Sequence, residues 1–220
     1  GPPGIGKATL AYRFARFLLT EKERTQAEGG LFGGDAPIVA TLAVAAENPV
    51  FRRVASGGHA DLLTIERPFD EKKGAYKSEI PVDEVRKVAS FLRKTASEGG
   101  WRVVIVDGAE ALNSSGQNAL LKILEEPPEK AVIILTTSHP GLFLPTVRSR
   151  CRMIACRSLP EPVVIKLLDQ GAPRLGAEEK KSLAKLCGGS IGQAMDLAAA
   201  GGLPLYQGLM EIMASGLDWE

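Results

Sequence analysis

Apolar positions along the first two thirds of the chain recur at two alternating spacings. From Ala8 to Leu19, the residues Leu10, Ala11, Phe14, Phe17 and Leu18 return at three- and four-residue steps, which predicts one side of a helix ending near Thr20. Residues 21–58 are mixed: Gly29-Gly30 and Gly33-Gly34 break the pattern, and Ala43 to Arg53 has helical character. Leu62-Leu63-Thr64-Ile65 predicts a buried strand, and residues 67–79, with Pro68, Gly74 and seven charges, predict a mobile loop. Val82, Val85, Val88, Ala89 and Leu92 then mark one face of an amphipathic helix over Val82–Thr95. Val103–Val106 reads as a central strand, Ser114–Glu126 as a helix closed by Pro127-Pro128, and Val132–Leu135 as another apolar strand. Met153–Cys156 is a weaker, shorter strand signal.

Apolar strands alternating with helices predict an α/β fold, with a parallel sheet covered by helices on both faces. After Leu159 the period changes. Residues 161–215 show helical spacing alone, punctuated by Gly171, Gly176, Gly188-Gly189 and Gly201-Gly202. The expected organisation is a core over residues 1–158 and a small all-helical domain over 159–220, joined at Ser158-Leu159-Pro160.

Composition narrows the picture. At 220 residues, 45% hydrophobic and 24% charged, the chain has ordinary globular proportions. A net charge of +1 gives no global basic field for binding nucleic acid alone. Cys151, Cys156 and Cys187 are too few and too widely spaced for a zinc site or a disulfide framework, so a reducing, intracellular setting fits. No apolar run reaches the length of a membrane span.

The first residues carry the strongest chemical signal. Gly1-Pro2-Pro3-Gly4-Ile5-Gly6-Lys7-Ala8 meets the phosphate-loop pattern G-x-x-x-x-G-K-[ST] through Lys7 and breaks it at Ala8. Gly1, Gly4 and Gly6 would let backbone N–H groups curl around phosphate oxygens, with the following helix turning its positive end toward the same anion. Lys7 would reach the β- and γ-phosphates. The missing hydroxyl at position 8 would have held Mg²⁺; Thr9 carries one, but the next residue of a helix points about 100° away. A phosphate loop needs a strand ahead of it, so a strand before Gly1 is expected.

Three further places bear on the same chemistry. Val103-Val104-Ile105-Val106-Asp107 has the form of a Walker B strand, whose Asp orients Mg²⁺. The next residue, normally a Glu that polarises water, is Gly108. Glu110 stands two residues further on and is the rival base. Thr137, in Ile134-Leu135-Thr136-Thr137-Ser138-His139, is placed to sense a γ-phosphate or hold water. Arg148, Arg150, Arg152 and Arg157 fall within ten residues with no acid among them. Such a run is either a solvated basic edge or a source of phosphoryl-stabilising arginine.

Asn118-Ala119-Leu120-Leu121-Lys122-Ile123-Leu124-Glu125-Glu126-Pro127-Pro128, followed by Pro145-Thr146-Val147-Arg148-Ser149-Arg150-Cys151, closely resembles the clamp-loader branch of the AAA+ ATPases. The resemblance covers nearly the whole chain, and it implies a P-loop AAA+ core followed by a helical lid. Gly189-Ser190-Ile191-Gly192-Gln193-Ala194 is similar to a lid element in which the place of Gly192 belongs to an arginine, the second nucleotide sensor. Ala8, Gly108 and Gly192 thus remove three functions from one pocket. Gly1, Gly4, Gly6, Lys7, Thr9, Asp107 and Thr137 are left as a degenerate nucleotide site, able at most to bind ATP, ADP or phosphate weakly. The resemblance implies a non-hydrolysing subunit of a DNA-replication ATPase. Arg150 would act in trans on the ATP of a neighbouring motor subunit, held in its loop by Ser149 and Cys151. The alternative is an active, gamma/tau-like motor subunit. Implied partners are the gamma/tau and delta subunits, with the sliding clamp and primed DNA reached through the assembly, in the cytoplasm at the nucleoid. Many such subunits hold zinc with four cysteines after the first helix; residues 29–58 contain none, so no metal is expected. A helical collar domain is expected after residue 220.

Overall fold

The computed structural model describes residues 1–21, 41–98 and 100–202, together with residues 206, 208 and 212. Gly29-Gly30, Gly33-Gly34 and most of the helical stretch beyond residue 202 lie outside the described residues. The chain divides into two compact units, Ala8–Ile154 and a second formed by Gly1–Lys7 with Ala155–Glu220.

The larger unit is built on a three-stranded parallel sheet. Strand β1 (Leu62–Ile65) and strand β5 (Ala131–Leu135) flank β4 (Arg102–Val106), with Val106 paired to Ile65 on one side and to Leu135 on the other. Val103 to Val106 are all fully buried, because successive side chains of a strand point to opposite faces and both faces are covered. Val103 and Ile105 pack with Ala11, Ala15, Leu18 and Leu19 of α1 (Lys7–Leu19) and with Val50 and Val54 of α2 (Pro49–Ala55). Val104 and Val106 pack with Val85, Val88 and Leu92 of α3 (Val82–Arg93) and with Leu120 and Ile123 of α4 (Ser114–Glu125). Each such side chain contributes about 1.5–3 kcal/mol by leaving water. Local signals set the helix ends: Asp83 and Glu84 sit at the positive end of α3, and the Asn113 side chain accepts from the Gly116 N–H to cap α4. The covered parallel sheet is the one the alternating spacings predict.

Three segments differ from the sequence expectation. The helix expected over Ala43–Arg53 begins only at Pro49, where Asn48 accepts from the Val50 N–H and proline takes the first turn. The loop expected at 67–79 holds an antiparallel hairpin, β2 (Phe69–Asp70) and β3 (Ala75–Tyr76). Asp70 turns the chain by accepting from the Lys72 and Lys73 N–H groups, Gly74 takes φ 61°, and Phe69 and Tyr76 meet edge to face with ring centres 5.2 Å apart. Met153–Cys156 forms no strand, because no described strand lies beside it to complete a ladder.

The smaller unit packs α6 (Glu161–Gly171), α7 (Ala177–Leu186) and α8 (Ile191–Ala199) around Val164, Leu168, Leu183, Ala184, Cys187 and Ala194. Lys180, largely buried, keeps its charge paired with Asp169 at 2.8 Å. Ser190 caps α8 by accepting from the Gln193 N–H at 3.2 Å. The segment Gly1–Lys7 belongs to this unit. Between the described strand β5 and α6 lies one short helix, α5 (Pro145–Arg148), which carries the arginine run.

Candidate functional site

Two glycines of the loop Gly1–Lys7 take left-handed backbone conformations. Gly4 and Gly6 take φ 72° and 91°, a region that side-chain-bearing residues avoid. Its lysine and several of its carbonyls, however, are bonded to the chain itself. The Lys7 ammonium donates to the carbonyls of Gly1 at 3.0 Å and Pro2 at 2.5 Å. The Ser190 hydroxyl donates to the Pro3 carbonyl at 3.0 Å, and the Gly192 N–H donates to the Gly4 carbonyl at 2.8 Å. The contact is close on both sides. A Cβ at Gly4 would stand 2.3 Å from Ser190 Oγ, and one at Gly192 would stand 2.9 Å from Gly4 Cα. Gly192 and Gly4 therefore meet in a backbone-to-backbone contact too close for a Cβ at either place. Thr9 is exposed on α1, and the Ala8 side chain brings no oxygen to the loop.

In the larger unit, Asp107 ends β4 with its N–H donated to the Ile65 carbonyl at 2.8 Å. Its carboxylate accepts from the Thr136 hydroxyl, which itself accepts from the Gly108 N–H at 3.1 Å. Thr136 is buried, and its N–H donates to the Val106 carbonyl at 3.0 Å, so the β4–β5 register sets it opposite Asp107. Thr137, the residue singled out by sequence, instead accepts from the His139 N–H at 3.0 Å and bonds Glu110. The signal that finds Thr136 is the register: Val106 pairs with Leu135, so the next residues meet. Gly108 takes φ 65° and ψ 43°, a left-handed turn, so the missing glutamate belongs to a backbone shape that disfavours it.

Glu110 is braced rather than poised. Burial pushes its carboxyl up, but its own backbone N–H, the Thr137 hydroxyl, the Ser138 N–H and nearby His139 together outweigh that. They hold it below the usual carboxylate range, which makes it a weaker base.

The arginine run is differently placed. Val147 is the buried anchor of α5, and Arg148, Arg150 and Arg152 are exposed. Arg150 Nη1 donates to the Thr146 carbonyl at 2.9 Å and to Ser149 Oγ at 3.3 Å, and Nη2 pairs with Glu125 at 2.8 Å. Ser149 also donates to the Thr146 carbonyl at 3.1 Å, and the Cys151 N–H donates to Arg148 at 3.3 Å, closing the turn that follows the helix. Burial pushes the Cys151 thiol up, away from thiolate reactivity.

Gln117 supports this segment and was not singled out by sequence. It is buried, donates to the Leu112 and Leu142 carbonyls at 3.1 and 3.2 Å, and accepts from the Leu144 N–H at 2.7 Å. Its signal is a polar residue three before Leu120 on the apolar face of α4. Among the described residues no group of three or more His, Cys, Asp or Glu side chains is arranged to hold a metal ion, and no helix is long and apolar enough to cross a membrane.

Residues 1–160 match the family described as DNA polymerase III, delta subunit. The chain is 35% identical over 190 residues to DNA polymerase III subunit delta' of Pseudomonas aeruginosa, covering 86% of this chain and 51% of that protein. It is 29% identical over 220 residues to DNA polymerase III subunit delta' of Escherichia coli, covering 99% of this chain and 59% of that one. The chain thus spans between half and three fifths of the length of these relatives. Among solved structures, a Thermotoga maritima RuvB Holliday junction branch migration motor matches with a TM-score of 0.51 at 16% identity, over 90% of this chain and 50% of that one, a likeness of fold.

Proposed function

The chain belongs to the DNA polymerase III delta-subunit family, and we propose that it is a delta'-like, non-hydrolysing part of that polymerase's clamp loader. In this reading it helps load the sliding clamp on primed DNA in the bacterial cytoplasm, at the nucleoid-associated replisome. Its partners are the gamma/tau and delta subunits, and Arg150 is offered to ATP held by the neighbouring gamma/tau subunit. The chain requires no cofactor and no zinc of its own. ATP, ADP or phosphate at its loop binds weakly, since Ala8 brings no hydroxyl to the loop and Lys7 donates to the loop's own carbonyls.

The observation that carries this reading is the contact between Gly192 and Gly4. An arginine sensing γ-phosphate cannot stand where a Cβ would lie 2.9 Å from the loop backbone. Gly108 in a left-handed turn and Glu110 held below the usual carboxylate range disfavour hydrolysis at Asp107. Arg150, by contrast, is exposed and keeps donors for an anion. As a guanidinium it is always charged and suits the equatorial oxygens of a phosphoryl group in transfer.

The test is ATP turnover by the full-length subunit, alone and in the loader reconstituted with gamma/tau and delta. Alone it is expected to show none; steady turnover abolished by Lys7→Ala would overturn the reading in favour of an active motor. In the reconstituted loader, Arg150→Ala is expected to lower turnover at the site it faces by about 10³-fold while assembly is kept. Unchanged turnover would remove the finger role.

A further inference from the structure

Among the described residues, Arg150 is the one arginine of the run paired with a carboxylate, and that carboxylate is in an unfavourable place. Glu125 is the last residue of α4, and Glu126 follows it. The C-terminal end of a helix is its negative end, where an acid is destabilising and a base is favoured. Helix chemistry alone gives no reason for Glu125 to be there. Its contact does: Oε1 lies 2.8 Å from Arg150 Nη2.

A guanidinium has five N–H donors in a fixed plane. Nη1 donates to the Thr146 carbonyl and to Ser149 Oγ, and Nη2 stands in ion-pair contact with Glu125. Among the described residues the Nε–H has no hydrogen-bond partner, and it is a donor suited to a phosphate oxygen. The pair is also well placed to orient without trapping. Its side chains are 35% and 48% exposed, so the pairing is weak enough to coexist with a stronger anion at the remaining donors.

We propose that Glu125 is a positioning residue for Arg150. It holds the guanidinium in one orientation from the Nη2 end, so that the remaining donors meet the phosphoryl group of a neighbouring subunit's ATP without a search through rotamers. The inference rests on the reading of Arg150 as a finger acting in trans. A long arginine that samples many rotamers meets a transferring phosphoryl group in the productive orientation only part of the time. Holding its plane in advance removes that loss at the transition state and not in the ground state.

The experiment uses the full-length subunit in the reconstituted loader, with kcat and KM for ATP measured for wild type, Glu125→Ala, Glu125→Gln, Arg150→Ala and the double variant Glu125→Ala/Arg150→Ala. Expected is a roughly tenfold fall in kcat for Glu125→Ala with KM changed less than twofold, since only orientation in the transition state is lost. Glu125→Gln keeps an acceptor oxygen and is expected to fall about threefold. In the Arg150→Ala background, Glu125→Ala is expected to change nothing further, which a merely structural role would not produce. The melting temperature is expected to move by less than about 2 °C, as for an exposed ion pair. If Arg150→Ala slows turnover and Glu125→Ala does not, the positioning role is overturned and the finger stands. A faster Glu125→Ala variant would show that the pair restrains Arg150, and also overturns it. If Arg150→Ala itself has no effect, the finger reading fails and this inference with it. Should Glu125→Ala fail to assemble, Glu125→Gln decides, and an unchanged kcat there overturns the proposal.

Discussion

The loop Gly1–Lys7 and the arginine turn are both short, glycine- or arginine-marked segments for which we propose a phosphate-facing role, and the chain treats them in opposite ways. At the loop, every donor named above is directed at a carbonyl of the chain: Lys7 at Gly1 and Pro2, Ser190 at Pro3, Gly192 at Gly4. At the arginine turn, Thr146 and Ser149 accept from Nη1 and Glu125 pairs with Nη2, while the Nε–H has no partner among the described residues. A cation satisfied by its own backbone must break hydrogen bonds before it meets a phosphate. A cation held from one side meets it without rearrangement. The difference teaches that the retention of a motif's residues, Lys7 included, says less than where their donors are directed.

The largest expected effect that sharpens this contrast is the loss of Arg150 described above, about 10³-fold in turnover or about 4 kcal/mol at the transition state. Next comes the support beneath the turn. Gln117→Leu removes two donors and one acceptor in a buried place, leaving the Leu112 and Leu142 carbonyls and the Leu144 N–H unpaired. A loss of about 3 kcal/mol in urea unfolding of the larger unit is expected. A change below about 1 kcal/mol would mean that the turn is held by Val147 alone.

Gly4→Ala tests the loop. It places a methyl 2.3 Å from Ser190 Oγ on a backbone with φ 72°, so a cost of about 2 kcal/mol is expected, read as a lower melting temperature. An unchanged melting temperature would show that Ser190 and Gly192 do not hold the loop. The smallest effect is expected from Gly108→Glu. There is open space around the site, so the cost is that of a left-handed residue, about 1–2 kcal/mol, with no gain of ATP turnover. Turnover appearing in that variant would reverse the contrast, because the loop would then be a working site.

Much of this was legible in the sequence. The strands at 62–65, 102–106 and 131–135 are short apolar runs of strand length bounded by turns; the central one is buried on both faces and its two neighbours are partly buried. The helices α3 and α4 follow from their apolar periodicity and their ends. The hairpin at 69–76 was not legible, because its charges mask a two-residue pairing that depends on Asp70 and Gly74 taking particular turn conformations. At the candidate site, the residue types were visible and the pairings were not. Thr136 and Thr137 are adjacent hydroxyls, and only the β4–β5 register assigns one to Asp107 and the other to Glu110.

The sequence by itself determined most of the elements, a parallel sheet and the three missing groups at positions 8, 108 and 192, because periodicity and side-chain chemistry are local properties. What the tertiary structure decided is where each polar group spends its hydrogen bonds. Lys7, separated from Gly1 by six positions, and Glu125, separated from Arg150 by 25, find their partners only when the chain has folded. Those partners are what hold Lys7 on its own loop's carbonyls and Arg150 beside Glu125.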